Sequence, residues 1–347
     1  MQTIRVITLC SGYDAQCLGL RRAHVPFDLV NWSDIDPVAI EAHNALWPEY
    51  YDRNLGDMTK IDWAAKDYGE IDLLTYSTPC TDISVAGEKQ GIAEGSGTRS
   101  SIIWHTRKAI AQLRPKYLLL LENVKMLVTE KNRTYFDKWC AEVEAMGYRN
   151  YWQVLDASDF GVPQRRERVF MVSVREDIGK PFVFPAPEKQ YTRCYDILDD
   201  VDLSKLEPIE RETKCLNYYD TVHGYGNNFR CMEYRAYDCR AIYPCLSSSF
   251  ICLVGIPKAA AINPKPFPLV DGVDRVELDP NEWAVRYPSS MEICRLMGLQ
   301  RHEAEALLSV LSASQVRFVT GNSIVVNVLE HLFMNIWPNS NKKLTLF

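Results

Sequence analysis

The sequence predicts an α/β domain built on an open, mostly parallel sheet with helices on both faces, joined to a smaller, irregular domain. Three observations carry this. The first 175 residues alternate short apolar runs with helix-like segments, as strands laid side by side through helical crossovers do. After Asp177 the chain becomes Pro-rich, with Pro181, Pro185, Pro187, Pro264, Pro266 and Pro268 interrupting any long helix. From Ser289 helical periodicity returns. The expected organisation is a first domain over 1–186, an irregular domain over 187–287 and a segment over 288–347 that comes back to the first.

In chain order, Ile4 to Leu9 reads as the first strand and Phe27 to Trp32 as the second, followed by a helix over Pro37 to Leu46. Ile71 to Tyr76 reads as a strand, Ile102 to Gln112 as a helix, Tyr117 to Leu121 as a strand and Tyr135 to Met146 as a helix. Arg168 to Val174 adds another apolar run, buried on both faces if the sheet is parallel. Val316 to Phe333 reads as a strand or turn followed by an apolar helix that completes the first domain.

With 347 residues, 47% of them hydrophobic, the chain can bury a large core and a second, smaller one. No apolar run approaches the roughly 18 residues of a membrane span. The N-terminus lacks a basic region followed by an apolar segment and a small-residue cleavage site. Eleven cysteines without paired spacing suit free thiols in a reducing compartment, so the expectation is a cytoplasmic protein, in a bacterial cytoplasm or nucleoid. Cys215, Cys231, Cys239, Cys245 and Cys252 contain no short paired spacing, and no metal is expected. A net charge of −6 does not favour phosphate binding, yet Arg165, Arg166 and Arg168 crowd one short stretch and can form a local basic cleft.

In an open parallel sheet, ligands bind beyond the carboxyl ends of the strands. Cys10-Ser11-Gly12-Tyr13-Asp14 follows the first strand, Asp34 and Asp36 the second, Thr78-Pro79-Cys80 the third, and Glu122-Asn123-Val124 the fourth. Alone, a Cys after Pro is more often a buried small residue than a nucleophile, and an acid after a strand is often a helix cap. Four such ends converging on one crevice outweigh those readings.

These segments resemble the DNA cytosine-C5 methyltransferase family from end to end of the chain. Thr78-Pro79-Cys80-Thr81-Asp82-Ile83-Ser84 is similar to the family's Pro-Cys-Gln-x-Phe-Ser loop, and Glu122-Asn123-Val124 matches its Glu-Asn-Val triplet. Gln164-Arg165-Arg166-Glu167-Arg168 resembles its Gln-x-Arg-x-Arg element, and Gly321-Asn322-Ser323-Ile324 its Gly-Asn-Ser-Val. Thr81 and Ile83 depart from the loop pattern. Where the family has Phe-x-Gly-x-Gly-Gly, Cys10-Ser11-Gly12-Tyr13-Asp14-Ala15 keeps one glycine.

The resemblance implies a Rossmann-like sheet that uses S-adenosylmethionine, releasing S-adenosylhomocysteine, with a target-recognition domain in the irregular region. It implies Cys80 as the nucleophile at cytosine carbon 6, since carbon 5 is too weak a nucleophile until the ring is made electron-rich. Glu122 would hold a proton at N3. Arg168 would donate to O2 with Arg166 in support, although either arginine can equally contact phosphate. For the cofactor it implies Asp34 on the ribose, Asp57 on the adenine amino group, Ile35 on the adenine face, Gly12 beside the methionine part and Asn322 closing the pocket. Asp57 can equally be a turn residue.

The base must flip out of a duplex. Ser84 to Arg99, with four glycines, has the composition of a closing lid, and Gly224 to Arg230 that of a base-reading loop. The implied partner is double-stranded DNA, with a cognate restriction endonuclease as a further partner, and the implied state is a monomer. One branch of the family modifies transfer RNA with the same residues, and a catalytically silent binding protein on this scaffold is the alternative from another class. Fold analogy does not separate them.

Overall fold

The computed structural model describes residues 2–78, 94–188, 192–199, 215–217, 235–240, 242–248, 251–258 and 283–338, with the backbone alone for 120–124. Cys80, most of the Gly-containing stretch after it, and Gly224 to Arg230 lie outside the described residues. The chain divides into two compact units. One comprises Met1–Asp156, Glu167–Pro187 and Ser323–Phe347, the other Ala157–Arg166 and Glu188–Asn322.

The first unit holds β1 (Ile4–Leu9), α1 (Ala15–Arg22), β2 (Phe27–Ser33), α2 (Pro37–Leu46) and β3 (Leu73–Tyr76). It continues through α3 (Thr106–Leu113), β4 (Tyr117–Val124), α4 (Glu130–Ala145), β5 (Tyr148–Asp156) and β6 (Glu167–Arg175). The strands form one sheet in the order β2-β1-β3-β4-β6-β5. The first four run parallel, while β6 is antiparallel to β4 and to β5. The apolar run at Arg168 to Val174 is therefore a strand, but it does not extend the parallel set.

The edge strand β5 has no counterpart in the sequence reading. Its Tyr-Arg-Asn-Tyr-Trp-Gln run is polar and half exposed, because an edge strand with one solvated side needs no apolar alternation. α2 starts cleanly: the Asp36 carboxylate accepts the amides of Val38 and Ala39 at 2.9 and 3.1 Å, and Pro37 occupies the first turn.

Side-chain alternation along the strands sends Ile7, Leu9, Leu74, Tyr76, Leu118 and Met171 to one core, where α3 and α4 contribute Ile110, Phe136, Trp139 and Val143. Trp139 donates its indole N–H to the Tyr76 hydroxyl at 3.2 Å and meets Trp104 edge-on. On the other face lies α8 (Val326–Ile336), past whose end Trp337 meets Tyr117 edge-on. α8 also packs on α1, where Gly19 makes room for Leu329 and Phe333.

The second unit contains a four-stranded sheet of β7 (Cys215–Asn217), β8 (Arg235–Asp238), β9 (Leu253–Pro257) and β10 (Trp283–Arg286), in the order β10-β9-β8-β7. Beside it are α5 (Ser290–Leu296), α6 (Arg301–Val310) and α7 (Ala313–Gly321). The sequence reading groups 288–322 with the returning segment and places a strand or turn at Val316. Instead these residues are helical and pack within the second unit. Their anchor is Glu292, which is fully buried. Its carboxylate accepts both terminal nitrogens of Arg286 at 2.6 Å and the amides of Asp199 and Ser289 at 2.7 Å.

Two stability outcomes follow. A Cβ at Gly19 would lie 2.6 Å from the Leu329 Cβ, so Gly19→Val should cost about 1–3 kcal/mol by overpacking, read as a lowered urea midpoint. Glu292→Ala strands the Arg286 charge in the interior and should cost about 3–5 kcal/mol in the same measurement.

Candidate active site

Strand order reverses at β1, which has β2 on one side and β3 on the other; ligands of open α/β sheets bind at such a point. Backbone bonds keep the strand ends in step. The Ser11 amide donates to Ser33 O at 3.1 Å and the Ser77 amide to Leu9 O at 3.2 Å.

Asp34 joins the ends of β1 and β2. Its Oδ2 accepts the Gly12 amide at 2.9 Å, while Oδ1 accepts the amides of Ile35 and Asp36 at 2.8 and 3.0 Å. Burial pushes the Asp34 carboxyl above the ordinary aspartate value, with the three amides pulling the other way. Asn54 brackets the same residue, accepting the Asp34 amide at 3.2 Å and donating to its carbonyl at 3.1 Å. Ile35 is 67% exposed at the rim. Gly12 has φ +57°, and a Cβ there would meet nothing within 4 Å, so the space over its backbone is open.

Asp57 lies close by, on the turn after Gly56. Its Oδ1 accepts the Thr59 amide and hydroxyl at 3.0 and 2.7 Å, which lowers its pKa, and Oδ2 lies 3.2 Å from the Lys60 ammonium. Most of this carboxylate is thus engaged in shaping the turn. The Cys10 thiol is pushed up to about 12, by burial first and then by Asp34 and Asp57. It stays a thiol at neutral pH, which makes Cys10 a poor nucleophile.

Three residues of the first loop are left-handed: Cys10, Gly12 and Asp14, with φ of 52°, 57° and 62°. For the two non-glycines this conformation costs roughly 1–2 kcal/mol each. Asp14 is fully buried. It occupies the cap position of α1, but its side chain caps no amide there. Instead its Oδ2 accepts the Thr8 hydroxyl at 2.9 Å and lies 3.5 Å from Nε2 of His43, a fully buried residue of α2.

At the end of β4, pairing with β6 shifts register between Leu120 and Asn123. The irregularity falls at Leu121-Glu122, and bulges of this kind re-aim side chains beside active sites. The Glu122 side chain lies outside the description. Arg168, on β6, pairs with Val124 of β4 and donates to Glu167 O at 3.0 Å.

Arg166 and Asn322 belong to the second unit. The Arg166 guanidinium is buried and donates to Leu246 O and Gly321 O, both at 3.1 Å. Gln164 beside it donates to Leu296 O at 2.8 Å and accepts the Leu246 amide at 2.9 Å. A Cβ at Gly321 would fall 2.3 Å from Ser248 N, so only glycine fits before Asn322. Asn322 ends α7, its amide donating to Phe318 O at 3.2 Å.

The first unit therefore gathers Gly12, Asp34, Ile35 and Asp57, and sets Glu122 and Arg168 on neighbouring strands. Sequence reasoning missed Asn54 and the Asp14–His43 contact. Asn54 precedes a Gly-Asp turn, a signal the sequence offered; Asp14 stands at a glycine position of the loop, but nothing in the sequence pairs it with His43.

The profile of the C-5 cytosine-specific DNA methylase family matches residues 4–241. Among curated relatives, the type II methyltransferase M2.ScrFI of Lactococcus lactis subsp. cremoris is 33% identical, over 97% of this chain and 99% of its own length. The orphan methyltransferase M.SssI of Spiroplasma monobiae is 30% identical over 85% of this chain and 72% of its own. Among solved structures, the Entamoeba histolytica methyltransferase EhMeth aligns with a TM-score of 0.73 at 16% identity, over 99% of this chain and 100% of that one. The S. pombe Dnmt2 methyltransferase aligns with a TM-score of 0.66 at 18% identity, over 98% and 100%; at such identities these structures speak for the fold. With the sheet, the Asp34 joint and these matches together, the chain belongs to the C-5 cytosine-specific DNA methylases and is a DNA (cytosine-5-)-methyltransferase.

Proposed function

We propose that this methyltransferase uses S-adenosylmethionine to methylate a flipped-out cytosine of duplex DNA, with Cys80 as the covalent nucleophile. The observation that supports this best is the alignment of four neighbouring parallel strand ends. They carry Gly12, Asp34 with Ile35, the approach to Cys80, and Glu122.

The first unit fits the cofactor. Open space over the Gly12 backbone admits its methionine part, exposed Ile35 offers an apolar face to adenine, and Asp34 offers a carboxylate to the ribose. An ionised carboxylate accepts about four hydrogen bonds. Three are taken by amides, so Asp34 holds one ribose hydroxyl and not both. Asp57 takes the adenine amino group with its less engaged Oδ2. Bound there, S-adenosylmethionine supplies an electrophilic methyl group.

The protein's residues prepare the base to receive it. The Cys80 thiolate adds to carbon 6 and forms a C–S bond, and the displaced electron pair moves toward N3, where Glu122 supplies a proton. Arg168 donates to O2. The buried Arg166, bonded to two backbone carbonyls, holds the Gly321-Asn322 turn within the second unit. Once carbon 5 carries the methyl group, a base removes its hydrogen, the Cys80 sulfur leaves as thiolate and N3 returns its proton to Glu122, restoring the aromatic ring. A cytoplasmic, monomeric enzyme, with or without a cognate restriction endonuclease, is the setting this reading assumes.

Fluorine at carbon 5 blocks the last step. Duplex DNA with 5-fluorocytosine at the target should therefore give a denaturation-resistant adduct that requires S-adenosylmethionine and maps to Cys80. Cys80→Ala should abolish the adduct, and Glu122→Gln should slow its formation by about 100-fold. An adduct on another cysteine, full activity of Cys80→Ala, or labelling of transfer RNA alone would overturn the proposal.

Asp34→Ala should weaken S-adenosylmethionine binding by about 1–3 kcal/mol in titration calorimetry. Because burial raises the Asp34 carboxyl, wild-type affinity should fall as pH drops through that raised value. The fall should begin at higher pH than an ordinary aspartate would give. An unchanged affinity in Asp34→Ala would remove the residue from the site.

A further inference from the structure

We propose that Asp14 and His43 form a buried lock that fixes the cofactor loop, making both positioning residues for S-adenosylmethionine. The inference rests on the cofactor reading above and adds to it two residues that touch no ligand.

A left-handed aspartate persists only where its surroundings over-determine it. Asp14 is left-handed at φ 62° and fully buried; its carbonyl accepts the Leu18 amide at 3.3 Å, but its side chain caps no amide of α1 and takes the Cys17 thiol instead. Its carboxylate turns inward, toward the Thr8 hydroxyl on β1 and the His43 ring on α2. His43 is fixed in turn. Its ring stacks on Trp32 of β2, centroids 3.7 Å apart and planes 17° from parallel, and the Trp32 indole N–H donates to Tyr50 O at 2.8 Å. One residue past α2, the Trp47 indole donates to Tyr13 O at 3.1 Å and holds the loop again.

α2 starts directly after Asp34-Ile35-Asp36 and carries His43 two turns further on. One rigid helix thus sets both the acid offered to the ribose and the group that fixes the loop across from it. Where the resembling loops have glycine, this chain supplies a side-chain contact that selects the same class of backbone conformation. The contact also has slack. Neither His43 ring nitrogen has a hydrogen-bond partner, and Nε2 stands 3.5 Å from the carboxylate oxygen. A shift of a few tenths of an ångström would bring it within hydrogen-bonding reach. Occupation of the loop by cofactor supplies a cause for that shift, so the lock tightens on binding.

The test combines calorimetry with S-adenosylmethionine and steady-state kinetics on duplex DNA. Asp14→Asn and His43→Leu should each raise the Kd and the KM for S-adenosylmethionine about 10-fold, with kcat reduced less than 2-fold and the KM for DNA unmoved. The double variant should be no worse than the weaker single one. His43→Gln, whose amide nitrogen can replace Nε2, should restore affinity to within about 2-fold. Unchanged affinity in either folded single variant, or equal losses in kcat and DNA binding, would overturn the lock.

If the substitutions prevent folding, the wild-type protein with ¹⁵N-histidine decides. It has six histidines. The resonances of the buried His43 ring, stacked on Trp32, should shift on saturation with S-adenosylmethionine, and their constancy while calorimetry reports binding would equally overturn the proposal. Absence of any binding to the wild-type chain would instead bring down the cofactor reading itself.

Discussion

The Asp34 carboxylate is the joint on which the ligand-facing edge of the first unit depends. It lies where β1 and β2 end side by side, and it gathers the amides of Gly12, Ile35 and Asp36. Those amides have no strand partner at that point and would otherwise need water. Desolvation works against the charge and the amides work for it; desolvation is the larger effect on its proton affinity. A carboxylate kept charged by fixed dipoles in a partly dry place is well suited to receiving one more donor, because no solvent must be reorganised to accept it.

Much of the first unit was legible in the sequence because its signals are local. Ile4–Leu9 and Phe27–Ser33 are short, mostly apolar and largely buried runs, as strands inside a parallel sheet are. The Asp36-Pro37 pair announces α2. What escaped was set by neighbours and not by the segment itself. The direction of β6 is imposed by β5, and β5 is an edge whose polar residues hide its period. The helices at 290–321 belong with the second unit because of Glu292 and Gln164, whose partners lie up to 133 residues away in sequence.

The candidate site divides the same way. Gly12 and Asp34 stand out in the sequence by their place after strands, and Ile35 through the family resemblance. The Asp14–His43 contact does not, because nothing in the spacing of those residues says that their helices meet. The arginines teach a related lesson about charge. A crowd of guanidinium groups at 165–168 reads as a phosphate-binding patch. Yet Arg166 is buried with its donors on the carbonyls of Leu246 and Gly321. A formal count of basic residues overstates what a chain can offer to a polyanion, since planar donors also serve to tie backbone to backbone.

The pairing of α1 with α8 bears on how the molecule is made. α1 is complete by Arg22, whereas α8 begins at Val326, about 300 residues later. At a ribosomal pace of roughly 5–20 residues per second, the apolar side of α1 and the notch at Gly19 wait tens of seconds for Leu329 and Phe333 to emerge. Until then the nascent sheet has one face unsheathed. A late-arriving helix puts the closing of the first unit about 300 residues of translation after α1. It also gives chaperones that bind exposed apolar surface a long interval in which to act.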